Sequence, residues 1–175
     1  MLLHQPLVLP RRLVARNSFL RVVGPDHRIV RGPRQGFLPV PDERALVAAT
    51  SLETGRFISA ELSVDRDDLV ALIDRLSMVE QAYVEVRLAN DEFPALLVGL
   101  RRGIAVVQCM SGPESMALLA GDGSSAASEV VDVLIMDELA TFTGEYVRGS
   151  ARARDVVVKF VDGADLWSLG EWHDV

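Results

Sequence analysis

Leu69, Leu72, Ile73 and Leu76 recur at i, i+3, i+4 and i+7, which lays one apolar stripe along a helix of about four turns. Ser63 reads as its N-cap, and Asp65, Asp67 and Asp68 follow in the first turn, where unpaired amides and the helix dipole favour negative charge. A second helix opens at Gly149-Ser150. It sets Ala153, Val156, Val157, Phe160 and Val161 on one face and Arg152, Asp155, Lys159 and Asp162 on the other, with Gly163 as its stop.

Elsewhere the period shortens to two. Val84, Val86 and Leu88 alternate with Tyr83, Glu85 and Arg87, the pattern of a strand with one wet face. Pro94 to Leu100 and Gly103 to Cys109 are apolar runs split by Arg101-Arg102, which predicts a hairpin of two buried strands. Further strands are expected at Arg56 to Leu62, Ser115 to Ala120, Val130 to Met136, Thr141 to Arg148 and Leu166 to Trp172, the last carrying both tryptophans. Near the N-terminus, Phe19 to Val23 and Arg28 to Val30 flank Gly24-Pro25-Asp26-His27, the chemistry of a hairpin turn. The order strand, helix, antiparallel strands, helix, strand predicts an α+β fold: an antiparallel sheet of about six strands with two helices on one face, plus an N-terminal hairpin or arm.

With 175 residues, 49% apolar and 25% charged, the chain suits one folded domain with a small appendage and is unlike a disordered protein. No apolar run is long enough for a membrane helix, and arginines follow the apolar Met1 to Leu9 rather than precede it, so a cytoplasmic location is expected. The net charge of −7 divides unevenly: residues 1–50 hold eight arginines against three acids, and residues 51–175 hold ten basic against 22 acidic side chains. A turn-rich stretch, Gly32 to Gly36 and Pro39 to Asp42, lies just before that change. Two parts are therefore expected, a basic N-terminal arm over 1–50 and an acidic α+β domain over 51–175. Acidity of this degree disfavours nucleic acid as a direct ligand and suits a basic protein partner.

Chemistry is sparse. A nucleophile needs a base and an orienter, yet the histidines are His4, His27 and His173, all near the ends. Cys109 closes an apolar run and reads as a buried thiol; being the single cysteine, it excludes an internal disulfide. Asp65 to Asp68 lack the glycine and distal glutamate of a calcium loop. Gly121-Asp122-Gly123-Ser124-Ser125 does not continue into the Gly-Lys-Ser/Thr of a phosphate loop and reads as a flexible connection. Trp167 and Trp172 read as half-buried core residues more readily than as interface anchors. No catalytic residue, cofactor or metal is expected.

Three segments between Leu62 and the C-terminus carry a resemblance: the aspartate-rich helix opening continued by Leu69 to Leu76, the pair Pro94 to Leu100 and Gly103 to Val107, and the ending. That ending runs Phe142-Thr143-Gly144-Glu145-Tyr146, a polar break, the helix through Phe160, then Gly163 and Leu169-Gly170-Glu171-Trp172. In order and spacing these segments resemble the first numbered family of immunity proteins from bacterial polymorphic toxin systems. Residues 1–50 lie outside the likeness. The resemblance implies a non-catalytic α+β protein that binds and silences a toxin encoded next door, often one similar to nucleic-acid deaminases.

The expected function is accordingly an immunity protein that occludes the active site of a toxin with a basic cleft. Asp122, Glu129, Asp132, Asp137, Glu138 and Glu145, in or beside the later strands, are the expected contacts, with no direct nucleic acid and no membrane involved. The alternatives are a secretion or scaffold adaptor pairing through its sheet edge and an enzyme with a shallow carboxylate site.

Overall fold

The computed structural model describes residues 45–175. The expected hairpin at Asn17 to Val30, and the linker to Asp42, lie outside them. In chain order the elements are β1 (Ala45–Thr50), β2 (Phe57–Val64), α1 (Arg66–Ser77), β3 (Ala82–Leu88), β4 (Ala95–Arg101), β5 (Ile104–Gly112), β6 (Ser115–Leu119), β7 (Val130–Ile135), β8 (Glu138–Thr143), β9 (Val147–Gly149), α2 (Ser150–Val161) and β10 (Trp172–Asp174). The fold is α+β.

Eight strands form one sheet in the order β10-β6-β5-β4-β3-β1-β2, with β9 paired to β5; β7 and β8 form a separate two-stranded ribbon. Every pairing is antiparallel. This corrects the expected six strands, for physical reasons. β9 and β10 are three residues each, too short to show an alternation. β1 sits inside the stretch assigned to the basic arm, so the charge boundary at Thr50 is not a structural one: Ala45–Thr50 pairs with both β2 and β3.

Alternation along each strand sorts the core into two sides. Val84, Val86, Leu96, Val98, Leu100, Ala105, Val107 and Cys109 face Leu69, Ile73 and Leu76 of α1 and Ala153, Val156, Val157 and Phe160 of α2. Each fully buried Leu or Val among them contributes about 1.5–3 kcal/mol of transfer free energy. Two ion pairs lace the helices together antiparallel, Arg66 Nε to Asp162 at 3.1 Å and Arg154 Nη1 to Asp74 at 2.8 Å. The N-cap of α1 is Asp65, whose carboxylate accepts the Asp68 amide at 2.9 Å; Ser63, the expected cap, still belongs to β2.

The opposite side of the sheet is covered in part: on β3 Tyr83 is fully buried, edge-on to Phe57 with ring centroids 5.1 Å apart, while Glu85 and Arg87 on the same face stay half-buried. Val106, Leu118 and Val147 there pack against Val131, Val133 and Phe142 of the β7–β8 ribbon. The described residues thus form three layers, helices, sheet and ribbon. The expected strand Thr141 to Arg148 is divided by a 3₁₀ turn at Gly144–Tyr146, which lets β8 stay in the ribbon while β9 joins the sheet. The expected last strand is likewise a 3₁₀ turn, Leu166–Leu169, followed by Trp172–Asp174.

Candidate functional site

From Gly103 to Val147 the chain carries seven acids and neither lysine nor arginine. Two turn residues at positive φ, Arg102 at 42° and Gly103 at 84°, close the β4–β5 hairpin just before this stretch. The ribbon lies wholly within it, so this layer supplies negative charge with no cation of its own.

The ribbon is pinned to the sheet by shape and by polar contacts. Gly99 on β4 leaves room for it: a Cβ there would meet Val133 Cγ2 at 2.8 Å and the Leu134 carbonyl at 2.9 Å. The Gln81 side chain acts as a short strand, donating from Nε2 to the Asp132 carbonyl at 3.3 Å and accepting the Leu134 amide at 3.1 Å. Arg101 Nη1 donates to the same Asp132 carbonyl at 3.2 Å. At the ribbon's tip, Asp137 Oδ1 accepts the Phe57 amide at 2.9 Å, tying the turn to β2.

Because Val131, Val133 and Phe142 point inward, the period of two turns Val130, Asp132 and Leu134 of β7 and Leu139, Thr141 and Thr143 of β8 away from the sheet. Val130 and Leu139 keep 65% and 64% of their surface exposed, at opposite ends of this outer face. Between them Asp132 accepts a 2.6 Å bond from the Thr141 hydroxyl. At the open end, Glu145 accepts from Thr143 Oγ1 at 2.8 Å and Glu129 from Ser125 Oγ at 2.9 Å, with the Gly144 amide bonded to the Glu129 carbonyl at 2.7 Å. One hydroxyl bond fixes each carboxylate's rotamer and leaves its charge intact. The arrangement is an apolar and acidic strip on a rigid support, suited to a cationic protein surface that brings some apolar area with it.

Of the six expected contacts, Asp132 lies on this outer face, Glu129 and Glu145 flank the ribbon's open end, and Asp137 and Glu138 sit at its tip. Asp122 stands apart. Its Oδ1 accepts the Ser124 amide at 3.0 Å, its Oδ2 the Gly149 amide at 3.1 Å, and Arg152 Nε lies 3.5 Å away. The side chain keeps only 13% of its surface while its backbone stays open to solvent. Against the cost of burial, these hydrogen bonds and the Arg148 charge hold its carboxyl below the ordinary aspartate range. Gly121 packs against the carbonyls of Val147, Glu145 and Gly144, so the Gly121–Ser125 stretch is anchored at its start, while Gly123 faces open space. An anion that its amides could have held is supplied by the chain itself.

Other groups with chemical potential are occupied or inert. Burial pushes the Cys109 thiol up to about 11. Burial first, and then the neighbouring Glu85, raise the Tyr83 phenol well above its usual value; its hydroxyl donates to Glu85 at 2.8 Å. His173 lies on β10 with its ring edge-on to Tyr146 and Nε2 3.6 Å from Glu171. Among the described residues, no group of three or more His, Cys, Asp or Glu is placed to hold a metal ion, and no helix is long and apolar enough to cross a membrane.

Sequence reasoning missed the apolar half of the face, Val130 and Leu139. The strand at β7 was visible, but which of its sides meets the sheet is a tertiary fact. The cation-free run from Gly103 to Val147 was readable and gave the better signal. A scan against protein-family models finds no match for the chain, and a search of curated proteins finds none either.

Proposed function

We propose that the protein is a cytoplasmic immunity protein that binds a cognate bacterial toxin through the outer face of the β7–β8 ribbon and occludes the toxin's basic active-site cleft. The observation that carries this reading is the cation-free acidic strip itself, rigidly mounted and set with exposed Val130 and Leu139. Acidic fields of this kind raise association rates about 10- to 1,000-fold toward a basic groove and occupy the place that substrate phosphates would take. The order of elements after Leu62, which resembles that of immunity proteins of polymorphic toxin systems, supports the same reading. A toxin directed at nucleic acid or nucleotides, such as a deaminase, has the complementary charge.

The test is co-expression. The gene adjacent to this one is expressed in a bacterial host with and without the protein, and survivors are counted. Survival only when both are present, with a complex that co-purifies, supports the proposal; a neighbour that is harmless, or that kills regardless, removes it.

A further inference from the structure

Where α2 ends, the chain turns through Gly163, Ala164 and Asp165 into the 3₁₀ turn at Leu166. A groove of about 340 Å³, open to solvent, lies there between this turn and the ends of β3 and β5. Phe160, Leu166 and Leu88 give it apolar walls, Trp167 stands at its side with 52% of its surface exposed, and Ser111 and Asp165 are its polar side chains. Among the described residues, no lysine or arginine lines it.

Three independent features of the groove favour positive charge. The C-terminal end of α2, with its partial negative charge, faces it through Phe160, Gly163 and Ala164. The Asp165 carboxylate adds a full charge. The exposed indole of Trp167 offers a π face, and tryptophan is the aromatic that attracts cations best. Of the cations near this end of α2, Arg66 is committed to Asp162 at 3.1 Å and Lys159 lies on the exposed face of the helix. The apolar walls add a requirement for hydrocarbon beside the charge. At about 340 Å³ the space lies at the lower end for a small-ligand site, large enough for one long side chain.

We propose that this groove receives a cationic side chain, an arginine or lysine of a protein partner, whose aliphatic stem packs on Phe160 and Leu166 while its charged head meets Trp167 and Asp165. This site is independent of the ribbon face and does not rest on the immunity reading.

Trp167 lines the groove and Trp172, the chain's other tryptophan, lies beside it with the rings 6.1 Å apart, so intrinsic tryptophan fluorescence reports on the groove and its immediate surroundings. The intact protein is titrated at low ionic strength with N-acetyl-arginine amide, N-acetyl-lysine amide and the neutral isostere N-acetyl-norleucine amide. Spermidine is added as the free-amine arm. The expected result is a saturable change with the arginine and lysine compounds in the millimolar range, at least fivefold weaker binding of norleucine, and about fivefold weakening of the cations in Asp165→Asn. The Trp167→Phe variant, read through Trp172, is expected to retain reduced binding. No saturable change, norleucine binding as well as lysine, an unaffected Asp165→Asn, or spermidine binding far more tightly than either amino-acid amide would each overturn the proposal.

Discussion

The Asp122 carboxylate accepts the Gly149 amide at 3.1 Å, so a residue in the loop after β6 caps a helix whose cap residue lies 27 positions later. The helix needs this help: its cap residue, Gly149, has no side chain to accept a bond from the first amides, and its first turn carries no acid. Asp122 therefore joins the ribbon's connecting loop to the helical layer.

The variant Asp122→Asn keeps the shape but loses the charge facing Arg152 and the helix N-terminus. It is expected to lower stability by about 1–2 kcal/mol at neutral pH, measured by urea denaturation. The sign of the pH dependence follows from the lowered folded value. The carboxylate's contribution is complete above the unfolded aspartate value of about 3.9 and is lost as pH falls through the lower folded one. Wild type and variant should thus converge in acid. A constant gap down to pH 2 would show that the charge is not what caps the helix.

Gly99→Ala places a methyl group against Val133 and the Leu134 carbonyl, and the carbonyl is backbone that cannot step aside. A loss of about 1–3 kcal/mol is expected, as for an overpacked core. Calorimetric melting measures it, and an unchanged melting temperature would mean that the ribbon is not seated on β4.

Gln81→Leu removes both of the bonds that clasp β7 but keeps most of the side chain's volume. The buried amide of Leu134 loses its acceptor, at a cost of about 1–3 kcal/mol. Hydrogen exchange at Leu134 should quicken about tenfold or more, while amides in β4 keep their protection. Uniform acceleration across the sheet would show that Gln81 supports the whole fold and not the ribbon alone.

Cys109 is fully buried with its thiol pushed up to about 11, so the native protein should resist thiol reagents at pH 8. Labelling is expected only in denaturant. Rapid labelling of the folded protein would place the thiol at the surface and contradict the packing of β5 under the helices.

Both helices were legible because their stripes are long. Leu69, Ile73 and Leu76, and Ala153, Val156, Val157, Phe160 and Val161, are buried as their spacing required. The β4–β5 hairpin was equally plain from Arg102-Gly103. What the pattern could not carry was the third layer. A strand that is wet on one side looks the same whether it lies in a main sheet or in a ribbon laid over one, and nothing local in Val130 to Ile135 separates the two. Short strands fail for another reason: three residues at β9 hold no period, and Phe142 and Tyr146 suggested one continuous strand where Gly144, pressed against the Ala126 carbonyl, turns the chain. The capping role of Asp122 was not legible either, because a carboxylate in a glycine-rich loop gives no sign of the distant amide it caps.

The central claim is that the ribbon's outer face, and not net acidity, holds the partner. It is tested by measuring the affinity of the purified toxin for two triple variants of equal charge change, Glu129→Lys with Asp132→Lys and Glu145→Lys on the ribbon, and Glu53→Lys with Asp67→Lys and Asp155→Lys elsewhere. The account predicts a loss of about 100-fold or more for the first, with a shallower salt dependence, and less than about threefold for the second. Equal losses in both variants, or none in the ribbon variant, would contradict it.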